Sequence, residues 1–387
     1  MASVLATDSS SGHVGEFQLD DPASVKLRLA GVSKRYGSVE ALVDANLLVR
    51  KGECVTLLGP SGSGKTTLLN IVAGLLPLDE GEVWIEDRLA THMPAFQRDI
   101  GMVFQNYALF PHLSVFENIA FPLRMRRERS ARLRDRVERA LAAVSLADKG
   151  DRMPSELSGG QQQHIALARA LVYEPSIILM DEPLAALDKK LREQLQIEIR
   201  RIQRRLGITM LYVTHDQQEA LLLSDRICLM NNARIEQIGA PSELYFRPRT
   251  VFAADFIGES NIFAAEVLAA SEGEVQLRGP EASRLRAVTD LALTPGQRVQ
   301  VMIRPERLRV TAIDGRETGE NGFSAILSET TFLGEATRYY AVTATGDTFV
   351  SKALTGAPAM ELAPGSAVLL SADPNSCIVL PAEPRAP

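Results

Sequence analysis

Gly59-Pro60-Ser61-Gly62-Ser63-Gly64-Lys65-Thr66, followed at once by Thr67, is the stretch on which the reading of this 387-residue chain turns. It fits G-x-x-x-x-G-K-[ST], follows the apolar run Cys54–Leu58 and opens the helical pattern Thr67–Val72. A strand, a glycine-rich loop and a helix in that order make a phosphate-binding loop. Glycines let backbone N–H groups curl around phosphate oxygens with no Cβ in the way. The helix N-terminus adds positive dipole where the anion sits. Lys65 places an ammonium near the β- and γ-phosphates, and the Thr66 hydroxyl is a ligand for Mg²⁺.

Moving outward, strand-like apolar runs alternate with helical patterns as far as Tyr245, for example Glu53–Leu58, Ser176–Met180, Thr209–Val213 and Arg226–Met230. Such alternation predicts an α/β domain whose sheet is parallel at least in part. One helix is legible in detail. Leu191, Leu195, Ile199, Ile202 and Leu206 fall on one apolar stripe, and Gly207 stops it. The opposite Arg-rich face also carries Glu193 and Glu198, which favours a solvated surface over a nucleic-acid patch. The run Ile177–Met180 ends in Asp181 and Glu182. Alone, the pair is an ordinary acidic strand end. Downstream of a phosphate loop, Asp181 can hold Mg²⁺ through its water shell and Glu182 can polarise an attacking water. His215 ends another apolar strand and carries weight only in that company.

Composition narrows the field. Lys+Arg 42 against Asp+Glu 48 gives net charge −6, which argues against a general nucleic-acid binder. Three scattered cysteines exclude a disulfide scaffold and fit a reducing compartment. No uncharged apolar run approaches the roughly 18 residues of a membrane helix, and the N-terminus lacks the pattern of an export signal. Residues 1–26, rich in Ser, Gly and Asp, read as an N-terminal extension, 27–247 as the α/β domain and 248–387 as a separate C-terminal domain. That last segment consists of short strands broken by Gly, Pro and Asp. In Arg298–Ile303, Val299, Val301 and Ile303 alternate with Arg298, Gln300 and Met302, as in a half-buried strand. A small all-β barrel or sandwich is expected.

Leu157-Ser158-Gly159-Gly160-Gln161, running into Gln162-Gln163-His164-Ile165-Ala166, resembles the signature of ABC-transporter ATPases. The order of motifs resembles that family throughout residues 27 to 247: phosphate loop, Gln105, signature, acidic strand, His215. The resemblance implies a P-loop NTPase cassette with a helical signature subdomain. It further implies that Tyr36 stacks on adenine, that Gly59–Thr67 hold the phosphates, and that Thr66, Asp181 and Gln105 serve Mg²⁺. Glu182 then matches the catalytic base, His215 the switch histidine, Gln105 the sensing glutamine and Asp188 the loop that crosses between subunits. ATP lies between one subunit's phosphate loop and Ser158–Gln161 of another, so the resemblance implies a homodimer with two composite sites. His164 stands where Arg is usual and Ala185 where Ser is frequent. Altered packing or coupling is expected there, not lost hydrolysis.

Two classes of partner follow from the resemblance: a membrane importer, or a soluble ABC ATPase of DNA repair or translation. The soluble relatives usually carry two cassettes or long coiled-coil insertions, and neither is seen here. Arg304-Pro305-Glu306 and the strand-rich tail resemble the regulatory OB-type (TOBE-like) domain of importer ATPases, and a sensor role for the tail is compatible with that. The importer reading implies two transmembrane permease subunits, an external solute-binding protein reached through the permease, no nucleic acid, and a peripheral position on the cytoplasmic face of the membrane. The run Asn106–Leu113 is then the cleft for a permease coupling helix, although part of it must pack internally. Pro241–Pro248 and Phe256–Phe263 are most similar to spermidine/putrescine importer ATPases, with ferric iron, sugar or another organic solute as alternatives.

Overall fold

The computed structural model describes residues 25–185, 187–313, 321–355 and 362–382. The expected extension 1–26 therefore lies outside the described residues except for Val25 and Lys26, which already belong to the first strand. In chain order the first part contains β1 (Val25–Tyr36), β2 (Val39–Arg50), β3 (Cys54–Leu58), α1 (Lys65–Ala73), β4 (Glu80–Ile85), β5 (Arg88–Leu89), β6 (Ile100–Val103), α2 (Val115–Met125) and α3 (Ser130–Ala143). It continues with α4 (Gly159–Leu171), β7 (Ile177–Asp181), α5 (Lys189–Leu206), β8 (Met210–Thr214), α6 (Gln217–Leu223), β9 (Arg226–Asn231), β10 (Arg234–Gly239) and α7 (Pro241–Phe246).

The central sheet runs β10-β9-β3-β8-β7-β6. Strands β9 to β6 are parallel and β10 is an antiparallel edge. Both faces of the parallel strands are covered, which is why they read as near-continuous apolar runs. Ile177, Leu179, Leu211 and Val213 pack on α1 and on the antiparallel sheet β2-β1-β4-β5. Their neighbours Ile178, Met180, Met210 and Tyr212 face the helical layer of α2, α3, α4 and α5. Register aligns the strand ends: Leu58 lies beside Thr214, Asp181 beside Val213 and Val103 beside Met180. The phosphate loop, Gln105, Glu182 and His215 therefore leave the sheet at one C-terminal rim, where open parallel sheets bind ligands.

The stripe on α5 is shorter than the spacing predicts. Leu195, Ile199 and Ile202 are buried and Leu191 is half-buried, but Leu206 is 48% exposed. Gly207 caps the helix at φ +61°, and the chain turns away before Leu206 can reach the core.

The tail opens with α8 (Val251–Phe256) and continues as β11 (Asn261–Ser271), β12 (Glu274–Arg278), β13 (Arg284–Val288), β14 (Arg298–Ile303), β15 (Leu308–Ala312), β16 (Gly322–Phe332), β17 (Ala336–Val342), β18 (Thr348–Leu354), β19 (Ala367–Ala372) and β20 (Ile378–Pro381). These strands form two antiparallel sheets, β13-β12-β11-β14-β20 and β15-β19-β16-β17-β18, around Phe263, Val301, Phe323, Phe349 and Leu370. Met302, which the alternation places on the solvent face, is buried instead against Ala254 and Leu380. Helix α8 covers that face. The same helix puts Ala253, and Ile257 just after it, against Leu58, Ala220 and Leu229 of the first domain. Among the described residues no helix is long and apolar enough to cross a membrane.

Candidate functional site

Helix α1 begins at the phosphate loop without a side-chain cap. Its N-cap is Gly64 at φ +97°, and a Cβ there would lie 2.5 Å from Ala41 O. At Gly59 a Cβ would lie 2.2 Å from Met230 O. The close approaches, rather than glycine's flexibility alone, dictate these two residues. Lys65 is buried, and its Nζ donates to Gly59 O at 2.9 Å and Pro60 O at 2.8 Å. Burial pulls the ammonium's pKa down, and the carboxylates Glu182 and Asp181 pull it back up. Ser63 Oγ is buried and has no partner within the chain. An uncapped helix start, an inward ammonium and an orphaned hydroxyl together suit a phosphate group.

Thr66 Oγ1 stands 3.5 Å from Asp181 Oδ1. Burial, then the neighbouring Glu182, raises the Asp181 carboxyl above its ordinary value, while Thr66 and Lys65 act in the opposite sense. Two hard oxygens at this spacing suit a divalent cation that takes its remaining ligands from phosphate and water. Glu182 adopts φ +43°, in the left-handed region that costs an ordinary residue about 1–3 kcal/mol. Its N–H donates to Val213 O at 3.0 Å, and its Oε2 lies 3.1 Å from His215 Nδ1. The carboxylate is thereby held at the sheet rim beside the phosphate loop, with an imidazole fixing its orientation.

The signature residues stand apart from the phosphate loop within one chain. Ser158 and Gln161 satisfy each other: Ser158 N donates to Gln161 Oε1 at 3.1 Å and Gln161 N to Ser158 Oγ at 3.4 Å. Gly159 and Gly160 form the first turn of α4, and α4 packs in the helical layer while α1 packs on the opposite face of the sheet. Asp188 caps α5 by accepting from Leu191 N at 3.0 Å. Tyr36, at the β1–β2 turn, is 52% exposed, with Lys34 Nζ 5.7 Å from its ring centre. Gln105 is exposed in the turn after β6. His164 is buried, with Nε2 3.3 Å from Glu198 Oε2 at an angle that makes no hydrogen bond. Burial holds its pKa below the usual value against the pull of Glu198.

Three residues that the sequence reading passed over organise these parts. Arg192 Nη2 donates to Leu187 O at 2.9 Å and Nη1 to Asp216 Oδ2 at 3.2 Å, joining the turn before α5 to the turn after β8. Asn118, fully buried, accepts from Phe110 N and donates to the Phe110, Leu113 and Ser114 carbonyls. Arg169 donates to the Tyr107 and Ala108 carbonyls. An Asn within the apolar pattern of α2 was the one visible signal. These bonds shape an apolar cleft of about 330 Å³ that includes Phe104, Ala108, Phe110, Phe121 and Tyr173. Tyr107 does not line it; it is buried in the helical core.

At the junction with the tail, Arg304 is 3% exposed and lies 4.1 Å over the Tyr245 ring. Its guanidinium donates to Tyr245 O, Ala254 O, Glu259 O and Ser260 Oγ. Tyr245 Oη donates to Glu306 Oε1 at 2.8 Å.

Compared with known proteins, residues 42–185 match the family described as ABC transporter and 301–380 the family described as TOBE domain. The curated spermidine/putrescine import ATP-binding protein PotA of Rubrobacter xylanophilus is 44% identical over 358 residues, covering 92% of this chain and 94% of the relative. The protein of the same name from Thermotoga maritima is 41% identical over 316 residues, covering 81% and 86%. Among solved structures, cbiO1 from Clostridium perfringens, part of the ABC transporter complex cbiONQ, superposes with a TM-score of 0.54 at 28% identity over 57% of this chain and 90% of that one. A dimeric ATP-binding cassette in a post-hydrolysis state bound to ADP and Pi gives 0.50 at 34% identity over 56% and 98%.

Proposed function

The chain belongs to the ATP-binding subunits of ABC transporters, and from that premise we propose that it hydrolyses ATP to power a polyamine importer for spermidine and putrescine. The observation that carries the ATPase reading is the convergence of Lys65, Thr66, Asp181, Glu182 and His215 at one rim of the sheet, and the similarity to curated spermidine/putrescine import proteins supports the solute. In the proposed mechanism the Gly59–Thr67 loop and Lys65 hold the triphosphate, and Tyr36 stacks on the base. Thr66 and Asp181 would hold Mg²⁺, which offsets charge on the phosphate oxygens. Glu182 accepts the proton of the attacking water, and His215 fixes that carboxylate and meets the γ-phosphate. Gln105, exposed near the same rim, senses the site and reports to the membrane partner.

Because Ser158–Gln161 open a helix on the opposite face of the sheet from α1, we take the site to be completed by a second copy, with Asp188 at the crossing between the two. ATP closes the homodimer and hydrolysis opens it, a ligand-biased two-state element. The cleft by Phe104 and Phe110 receives a coupling helix from each of two permease subunits, which are fed by an external solute-binding protein. The chain then works at the cytoplasmic face of the membrane, with residues 27–247 as the motor and 248–387 as the regulatory domain. The test is uptake of labelled spermidine and putrescine by cells with and without this chain, beside ferric iron and maltose. Loss confined to polyamines supports the assignment; loss confined to iron or maltose reassigns the solute and leaves the ATPase in place.

A further inference from the structure

His215 is followed by Asp216 and Gln217, the N-cap and first residue of α6, and each of the three is anchored to a different part of the molecule. His215 meets Glu182 at 3.1 Å. Asp216 Oδ2 accepts from Arg192, which also holds Leu187 beside Asp188. Gln217 reaches the other way: its Oε1 accepts from Gly258 N at 2.9 Å. Gly258 lies at the junction with the C-terminal domain, at φ +80°, so close to Tyr245 that a Cβ would stand 2.8 Å from the ring. Tyr245 is in turn fixed by Arg304 above its ring and by Glu306, both just past β14. The Gln217–Gly258 hydrogen bond thus joins the residue two places after His215 to the junction around the buried Arg304, beside the packing of Ala253 and Ile257 on Ala220 of α6.

Resting on the ATPase reading, we propose that Gln217 is a positioning residue that couples the C-terminal domain to the switch histidine. Gln217 does not touch the reacting atoms. Asp216 caps α6 by accepting from Gln218 N and Glu219 N, and Gln217, the next residue, ties that start to the junction and with it the reach of His215 toward Glu182. A shift of the domain about Gly258 then moves the imidazole without altering the phosphate loop, so ATP affinity and turnover respond separately. The tie also links the junction to the turn at Leu187–Asp188 through Arg192, so the switch histidine and the turn beside Asp188 share one anchor.

The test is steady-state ATP hydrolysis by the full chain. Gln217→Leu keeps the size of the side chain and removes the acceptor; kcat is expected to fall about fivefold or more while KM for ATP stays within about twofold. Gln217→Glu retains an acceptor oxygen and is expected to stay within about twofold of the parent chain, which a merely structural role would not require. Gly258→Ala attacks the same bond from the other side, and the double variant Gln217→Leu/Gly258→Ala is expected to be no worse than the weaker single, since coupled sites are not additive. Unchanged kcat in Gln217→Leu, equal losses in Gln217→Leu and Gln217→Glu, or losses that multiply in the double variant would each overturn the coupling. A parent chain that hydrolyses no ATP overturns the ATPase reading itself and the coupling with it.

Discussion

Two helices in this chain begin with glycine-rich turns suited to anions, and they are finished differently. Helix α1 starts at Gly64 with no side-chain cap, a buried lysine and an orphaned serine hydroxyl beside it. Helix α4 starts at Ser158 in a closed capping box with Gln161. Every α-helix leaves unsatisfied N–H groups in its first turn. The first start leaves them without a side-chain partner, while the second satisfies part of them through Ser158 and Gln161. The difference fits the proposed site assembled from two subunits, in which the two starts meet the nucleotide from different chains.

The largest effect is expected where turnover is removed so that the two starts can be seen together. Glu182→Gln is expected to lower hydrolysis by about 10²–10⁴-fold yet to hold ATP and run as a dimer on size exclusion. A monomer under saturating ATP would break the claim that Ser158 is completed by a second chain. Lys65→Ala, in contrast, is expected to weaken nucleotide binding by about a hundredfold, a loss of roughly 2.7 kcal/mol, measured by titration with a fluorescent analogue. Unchanged affinity would put both starts on an equal footing and remove the contrast. Gly64→Ala is expected to cost about 1–3 kcal/mol in denaturant unfolding, since it strains φ and meets Ala41 O. Ser158→Ala is expected to cost about 0.5–2 kcal/mol as a lost cap, and to weaken ATP-driven dimerisation without changing nucleotide binding by the monomer.

The smallest effect concerns pH. The buried His164 on α4 has a folded pKa below its ordinary 6.5, so the unfolded chain takes up its proton first as pH falls. Its stability contribution is whole above 6.5 and is lost as pH drops through that value toward the lowered one. Thermal melting of the parent chain between pH 7.5 and 5.5 is expected to fall more steeply than that of His164→Gln; parallel curves would show that the histidine is not held neutral.

Much of the fold could be read because it rests on local chemistry. Two-sided burial imposes near-continuous apolar runs on β3, β7 and β8, and the loop demands glycine where another backbone comes close, at Gly59 and Gly64. Where reading failed, a neighbour in space decided the outcome. Met302 is buried because α8 lies over β14, and Leu206 is exposed because Gly207 turns the chain away. Tyr107 enters the core while Phe110 lines the cleft, a division made by Asn118 of the helix just after it and by Arg169 of the distant α4.

The sequence by itself determined which residues could handle phosphate, metal and water, because those roles need particular side chains at fixed spacing along a strand, loop or helix start. Only the tertiary structure decided how they are combined. Parallel register brings Lys65, Asp181, Glu182 and His215 to one rim, the sheet sets Ser158 on the far side of it from α1, and Arg192 and Gln217 bind the turns to each other and to the second domain. Those choices rest on hydrogen bonds and packing between segments distant along the chain, and no periodicity within a segment encodes the partner it will meet.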